Sequence, residues 1–305
     1  MKKINYYFTI SLVIFITFFS FFNMFQIVQL SSTVLTIVID NLLPSLLPFM
    51  ILISLCMSLG IVQLFSYLIQ YLFLPLFHLS PTMSSIYFLT FFCGYPTNIK
   101  IIKEAYLLKH ISLSQLQHLL SIGSFASLSF IFVSLKIDHA FLLYVCHILP
   151  SIFLALCYRQ KQTFQTLKQS FEIINTPKVS FVSALKQSLL SSCYTFIFIL
   201  GYMLVFQFIG YALSFLIKDP FILSFIQGLL EFSSGALQLS SLDPSPIVYA
   251  AICFLLSFGS ISVMMQMDNL LEGIPYSWKT YFFARVYHGI FSFILCLILF
   301  DSFLF

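Results

Sequence analysis

Six long stretches without a charged residue constrain this chain more than any other feature. They cover residues 4–39, 41–99, 110–135, 139–158, 187–217 and 244–267. A helix of about 20 apolar residues crosses the hydrocarbon core of a bilayer and satisfies its own backbone hydrogen bonds there. The strands of a membrane barrel would alternate apolar and polar side chains, which these runs do not. The sequence therefore predicts an all-α polytopic membrane protein.

The few charges that are present indicate a topology rather than a soluble surface. Charged residues make up 8% of the 305 positions, against about 25% in soluble domains. This excludes a soluble enzyme, a disordered chain and a nucleic-acid binder with a basic face. Lys2 and Lys3 precede an apolar run, so we expect an uncleaved helix over about 5–28 with a cytoplasmic N-terminus. Residues 158–186 hold five basic residues and one acid and predict a cytoplasmic loop, whereas 242–246 is expected outside. The predicted location is the cytoplasmic membrane.

A short segment of the first half recurs in the second half. Residues 119–124 and 255–260 agree at five of six positions, 136 residues apart. An interrupted polar stretch precedes each copy, at 91–98 and at 230–235. Because the first half starts outside and the second starts inside, we expect two inverted repeats with interrupted, re-entrant helices. Repeats of this kind are typical of transporters that bind their solute where the interruptions meet.

The resulting organisation has six segments. They are an N-terminal transmembrane helix (1–30), a first repeat (31–137), a connecting transmembrane helix (138–157), the basic loop (158–186), a second repeat (187–267) and a C-terminal anchor with a transmembrane helix (268–305). Between 8 and 11 helices are compatible with this division.

The interruptions supply the candidate substrate-binding residues. Pro96 removes a backbone donor, and Gly94 lets backbones approach closely. Glu231 is a carboxylate in an apolar setting without a basic residue nearby in sequence, which marks a function or a partner. The predicted site comprises Gly94, Pro96, Thr97, Asn98, Ser124, Glu231, Ser233, Ser234, Gly235, Ser260 and Gln266.

Each of these residues also has a simpler explanation. Glu231 could be hydrated in a loop at the membrane interface. Residues 94–98 could be a turn that ends a helix before a basic segment. The small residues could serve helix packing alone, and Gln266 could bind another helix. Asp40 precedes Pro44 and Pro48, and the two prolines predict a helix that begins with a kink or a re-entrant turn.

Two further sets of residues are expected to be structural. Arg285 and His288, which follow Trp278, are expected to form a cytoplasmic anchor of basic and aromatic residues. The seven cysteines show no metal-ligand spacing and are expected to be free buried thiols. No catalytic motif occurs in the sequence, so we expect neither an enzyme nor a cofactor nor a metal site.

The same motifs, in the same order, carry a resemblance to a known family. Residues 41–49, 94–100, 228–235, 257–263 and 281–289 resemble the YlbJ-type sporulation integral membrane proteins of endospore-forming Firmicutes. The resemblance covers about residues 31–300. It differs at residues 232–234, where that family usually has a Thr/Asn-rich tripeptide. The family belongs to the nucleoside-recognition or Gate-domain group, with concentrative nucleoside transporters and the ferrous-iron transporter FeoB.

The resemblance implies a Gate-like membrane domain with a role in spore formation. The first hypothesis is a transporter-like protein for a small polar solute with a coupling proton or cation. The second is a non-transporting component that assembles with other sporulation membrane proteins, or with copies of itself. The lipid bilayer is the expected surrounding partner in both cases, and no nucleic-acid partner is expected.

Overall fold

The computed structural model describes residues 2–157 and 179–303, and regular structure in these ranges is helical. Most of the predicted basic loop, residues 158–178, lies outside the described residues. The helices are α1 (Lys2–Phe22), α2 (Met24–Ile37), α3 (Leu43–Ser58), α4 (Ile61–Phe77), α5 (Pro81–Thr90), α6 (Thr97–Leu107), α7 (Leu113–Ile122), α8 (Ala140–Cys157), α9 (Phe181–Ser214), α10 (Pro220–Leu230), α11 (Phe232–Ser240), α12 (Pro246–Phe258), α13 (Ile261–Leu270) and α14 (Trp278–Leu299).

Five helical segments in the described ranges are long and apolar enough to cross a membrane. They are Met24–Ser58, Ala140–Cys157, Phe181–Ser214, Pro246–Leu270 and Trp278–Ser302. A sixth is possible if α4 and α5, which bend by 91° at their junction, count as one span. The polytopic membrane class predicted from the charge-free stretches is confirmed, and the chain is an integral membrane protein.

Much of the remaining apolar sequence forms half-length helices. Helices α5, α6, α7, α10, α11 and α13 have 9 to 11 residues each. Ten residues of helix extend about 15 Å, half of a hydrocarbon core of about 30 Å. Backbone groups at the ends of such helices can therefore lie well inside the membrane.

Capping side chains and prolines explain where the short helices begin. Ser80, Asp219 and Ser245 each accept a hydrogen bond from a backbone N–H in the first turn of the next helix, and a proline opens that helix in all three cases. Proline suits a first helical turn because its missing N–H would have no partner there. The same local chemistry thus starts α5, α10 and α12.

The N-terminal region differs from the expected boundaries. Helix α1 ends at Phe22, short of residue 28, and a turn at Asn23 leads into α2. The sequence predicts a kinked or re-entrant segment at the proline pair. The structure instead has one continuous helical segment of 35 residues there, which contains a π turn at Val38–Leu42. The wider π turn immediately precedes Pro44, whose ring removes a backbone donor. Asp40 lies exposed in this turn.

Helix α12 lies at the centre of the protein and packs against α8 and α14. In the span Pro246–Leu270, which begins with α12, 83% of an 18-residue window is buried, whereas the share is 39% in the span of α8 and 28% in that of α14. Gly289 of α14 lies against the ring of Phe254 and the Cβ of Phe258 in α12, where an added Cβ would lie 3.0 Å from the Phe254 ring. A small residue at this crossing lets the two helices approach closely.

Contacts at the two ends of α14 orient this bundle. At one end the N–H of Ser277 donates to Oε1 of Gln117 in α7, at 2.7 Å. At the other end the ring of Phe300 lies 5.1 Å from that of Tyr249, which in turn lies 5.9 Å from the ring of His139. The start of α14 therefore shares one end of the bundle with α7. Residues 139, 249 and 300 share the other.

Gly94 gives a test of the packing at the first interruption. An added Cβ would lie 2.5 Å from Cβ and 2.6 Å from the backbone N of Ser127. We expect Gly94→Ala to destabilise the protein by about 1–3 kcal/mol, because overpacking a close backbone contact forces a shift. Thermal unfolding in detergent and abundance in the membrane measure the effect.

Gly201→Ala is the matched control for this test. Gly201 lies in α9, and no heavy atom of the described residues comes within 4 Å of its added Cβ. Alanine should therefore leave stability unchanged or raise it by about 0.5–1 kcal/mol, because it has the higher helix propensity. Equal behaviour of the two variants would contradict the close contact at Gly94.

Candidate functional site at the converging helix breaks

Four interruptions of the helices meet around one tyrosine. We call them break 1 (residues 91–96), break 2 (123–129), break 3 (residue 231) and break 4 (259–260), after the ends of the flanking helices. The backbone N–H of Tyr95 in break 1 donates to the carbonyl of Phe125 at 2.9 Å, and its hydroxyl donates to the carbonyl of Ser124 at 3.0 Å. The Tyr95 ring lies 5.8 Å from that of Phe232, next to break 3, and 3.5 Å from the Cβ position of Gly259 in break 4. Tyr95 therefore contacts or borders all four breaks.

Asn98 joins break 1 to break 2 from the first turn of α6. Its amide nitrogen donates to the carbonyls of Gly123 at 3.1 Å and Phe125 at 3.3 Å, while its amide oxygen accepts from the N–H of Ile99. The side chain is fully buried. The Asn98 amide thus satisfies the unwound backbone of break 2, and its role in binding a substrate stays a prediction.

Arg285 of α14 lies between the ends of two broken helices. Its guanidinium is fully buried and donates to the carbonyls of Ser124 at 2.6 Å, Ser257 at 3.4 Å and Ser121. Ser121 and Ser257 occupy equivalent positions in the repeated segment, 136 residues apart. Unpaired carbonyls at helix C-termini carry partial negative charge. The C-terminal ends of α7 and α12 therefore share one cation.

Two stacked histidines extend this network into the bundle. The Nδ1 atom of His288 lies 2.9 Å from the Arg285 guanidinium, and its Nε2 lies 2.6 Å from the carbonyl of His147. Nε2 of His147 accepts from the N–H of Ala126, and its Nδ1 lies 2.7 Å from the hydroxyl of Ser257. The two rings stack with centroids 5.2 Å apart.

The partners of the two rings define their protonation. A guanidinium and a backbone N–H can only donate, so Nδ1 of His288 and Nε2 of His147 must accept. The remaining nitrogen of each ring carries the hydrogen and donates to the carbonyl of His147 or to Ser257. Both imidazoles are thus neutral in this arrangement, and the guanidinium is the only charge in the network.

Glu231 in break 3 caps the helix that follows it. Its carboxylate accepts from the backbone N–H of Ser233 at 3.2 Å and of Ser234 at 2.8 Å, and the Ser233 hydroxyl lies 2.7–2.8 Å from both oxygens. The side chain is 5% exposed. A negative charge is stabilised at a helix N-terminus. The partner that sequence alone did not supply is therefore the first turn of α11 itself.

The two helices around Glu231 form a tight hairpin. Gly235 of α11 lies directly against Gly228 of α10, where an added Cβ would overlap the Gly228 backbone. Glycine lets the two helices touch along their backbones. Gly235 is thus a packing residue in this structure, and it holds Glu231 at the tip of the hairpin.

The remaining predicted residues lie at the other breaks. Ser260 caps α13 by accepting from the N–H of Val263, and Gln266 donates to Ser262 at 3.0 Å. Pro96 and Gln266 line the same small void. Within the described ranges the buried hydroxyls of Thr97 and Ser234 have no hydrogen-bond partner. Polar groups without a protein partner are the groups a polar solute could bind.

A cleft of about 870 Å³ opens beside breaks 3 and 4. Its lining is mostly aromatic and apolar, with three polar residues near the start of α14; the residues are Phe198, Tyr202, Leu229, Phe258, Ile261, Met264, Met265, Asp268, Asn269, Glu272, Trp278 and Phe282. Asp268 accepts a hydrogen bond from the hydroxyl of Tyr276 at 2.5 Å. Burial and this hydrogen bond raise the pKa of Tyr276, which keeps the hydroxyl protonated as a donor.

The structure overturns the expectation for Arg285 and His288. A cytoplasmic anchor would be exposed at the interface, whereas these side chains are 0% and 1% exposed and bind the broken helices. The sequence signal for their burial is their spacing. Tyr281, Arg285, His288 and Ser292 lie on one face of the helix. The sequence does not identify Tyr95 or His147 as site residues, because their partners are distant in sequence.

Comparison with known proteins gives one relative. The chain is 22% identical over 341 aligned positions to the sporulation integral membrane protein YlbJ of Bacillus subtilis (strain 168). The alignment covers 98% of this chain and 84% of the relative. No protein-family model matches the chain. The similarity to a protein of that name supports the resemblance found in the sequence motifs and agrees with the membrane class of the fold.

Replacement of Arg285 tests whether it holds the breaks together. We expect Arg285→Lys to lower stability by about 3 kcal/mol or more, because one ammonium cannot donate to three carbonyls and His288 as a planar guanidinium does. Thermal unfolding in detergent measures the loss. Lys279→Gln, an exposed change on the same helix, is the control, and equal melting of the two variants would contradict this role.

Three variants of Glu231 distinguish its role as a helix cap from the role of its negative charge. Asp and Ser are both good N-caps, whereas Gln is not, so Glu231→Gln alone should lose about 1 kcal/mol of stability. Thermal unfolding in detergent gives the readout. A lower melting temperature for Glu231→Ser than for Glu231→Asp would show that the charge also contributes, and equal melting of all three variants would contradict the capping role.

Proposed function

We propose that this integral membrane protein moves a small polar solute across the membrane and acts in sporulation, as the name of its relative suggests. The observation that carries the proposal is the convergence of four helix breaks on Tyr95, beside a cleft of about 870 Å³. Helix breaks inside a membrane are tolerated where they are buried in protein or line a cavity, and in transporters they bind the solute.

The lining of the cleft favours a neutral or cationic solute. Asp268 and Glu272 contribute carboxylates, and no Lys or Arg is among the described residues that line it. The rings of Trp278 and Phe282 stack 5.1 Å apart at its edge. Aromatic faces and carboxylates together attract cations and the apolar faces of polar solutes.

The order of elements supports a duplication behind this site. The second half contains a long helix, two short helices flanking a break, a turn and a helix that ends at a further break, and the first half has the same order with one additional helix, α4, after its long helix. The carbonyls of Ser121 and Ser257, at matching positions of the two halves, bind the same guanidinium. Inverted repeats would place the solute between the halves, where rocking of one half against the other exposes it to either face.

Glu231 is the proposed site of a coupling proton or cation. Its carboxylate is buried and lies in the hairpin of α10 and α11, next to the unpartnered hydroxyl of Ser234. A bound cation would share the carboxylate with the N–H groups that now hold it. Binding would thereby alter the cap of α11, which gives the ion a way to act on the hairpin.

A specific observation favours the alternative, a non-transporting component of spore envelope assembly. Among the described residues, backbone groups of this chain bind both the Arg285 guanidinium and the Glu231 carboxylate. A protein whose breaks serve only its own architecture would show the same bonds. Flux measurements distinguish the two functions.

Uptake into proteoliposomes tests the proposal. Purified protein is reconstituted and offered a defined mixture of nucleosides, amino acids and polyamines, and the internal solutes are quantified by mass spectrometry. We expect at least one neutral or cationic solute to accumulate above protein-free liposomes. Absence of any accumulation, from a protein that still restores spore yield to a deletion strain, would support the assembly function instead.

Two tryptophan variants test whether the solute passes through the cleft. Met265→Trp should reduce uptake at least tenfold, because Met265 lines the cleft and is about half exposed. Ile290→Trp is matched to it, with similar exposure on α14 but outside the cleft lining. Uptake that is unaffected by Met265→Trp would place the path elsewhere.

A further inference from the structure

Three thiols from three different helices meet in the buried centre of the protein. Cys146 of α8, Cys253 of α12 and Cys296 of α14 are all fully buried, and their sulfur atoms lie within 4.8 Å of one another. They are separated in sequence by 107 and 43 positions, so no short sequence motif indicates this cluster. Packing of the central bundle alone brings them together.

The thiols form one layer of a longer polar column in this bundle. Ser257 follows Cys253 by four residues, Ser292 precedes Cys296 by four, and their hydroxyls hydrogen-bond at 2.7 Å. His147, directly after Cys146, binds Ser257. The thiol layer thus continues, by one helical turn, the column that leads from Arg285 through the histidines.

The other side of the thiol layer lies near one end of the bundle. Cys253 is seven residues from the start of α12, or about 10 Å along the helix. Tyr249 lies one turn nearer that end, and its ring is 5.9 Å from the ring of the partly exposed His139. An ion would therefore cross about two helical turns, past an imidazole and a phenol, to reach the thiols.

The geometry points to a binding site for one soft metal ion, and we propose that Cys146, Cys253 and Cys296 bind Cu(I). Soft sulfur ligands, both thiolate and neutral sulfur, select Cu(I). Three sulfurs in a plane at about 2.3 Å from one ion lie about 4.0 Å from each other, which falls within the observed limit. Zinc prefers four ligands. In the described ranges the group of possible metal ligands here comprises the three sulfurs, and the Cys253 thiol donates to the carbonyl of Leu143 at 3.9 Å.

Charge balance also favours a monovalent ion in this apolar setting. When Cu(I) binds, one thiol forms a Cu–S bond and its proton leaves to solvent along the route past Tyr249 and His139, while the other two sulfurs coordinate through lone pairs. The site gains one positive charge and loses one, so no net charge is buried. An uncompensated charge at membrane depth would cost several kcal/mol.

Titration of the purified protein with Cu(I) tests this site. A variant with Cys56, Cys93, Cys157 and Cys193 changed to serine keeps only the three clustered thiols. Under anaerobic, reducing conditions we expect it to retain one Cu(I) per chain against the chelator bathocuproine disulfonate. X-ray absorption should show three sulfur neighbours, and the bound ion should raise the melting temperature.

The reciprocal variants complete the test. Cys253→Ser in that background should weaken Cu(I) binding at least tenfold, and serine at all three positions, with the other four cysteines intact, should abolish it. Circular dichroism confirms that each protein is folded. Retention of Cu(I) without the three thiols, failure of the folded four-serine variant to bind, or preferential binding of one Zn(II) would each overturn the proposal.

Discussion

The bond between the Arg285 guanidinium and the carbonyls of Ser121, Ser124 and Ser257 is the interaction on which the rest of the structure depends. A helix that stops inside a membrane leaves backbone carbonyls without partners, and lipid cannot supply them. A cation alone in the same place would be equally unfavourable. Placed together, the helix ends neutralise the cation and the cation satisfies the helix ends. This pairing permits α7 and α12 to end in the buried interior of the protein.

The other ends of the broken helices are satisfied by local side chains. Glu231 caps α11 and Ser260 caps α13, each through backbone N–H groups of its own helix. Negative or polar acceptors thus lie at N-termini and the positive guanidinium at C-termini, in agreement with the helix dipoles. Tyr95 then ties the breaks to one another through its ring and its hydroxyl.

The packing divides the molecule into a dense centre and a more open side. In the centre, α8, α12 and α14 share a polar column of guanidinium, imidazole, hydroxyl and thiol groups, and Gly289 brings α12 and α14 close together. On the open side, α9, α13 and the start of α14 leave the cleft next to breaks 3 and 4.

The membrane class, the helical structure and the existence of interruptions near Pro96 and Glu231 could be predicted from the sequence, because they follow from composition, charge spacing and the local chemistry of proline and capping residues. The repeated segment also identified Ser121 and Ser257 as matching positions. Only the tertiary structure decided that both bind Arg285 and that three distant cysteines meet. The physical reason is that these partners lie up to about 160 residues apart in sequence. Their pairing results from how the helices pack, which periodicity within any one helix does not encode.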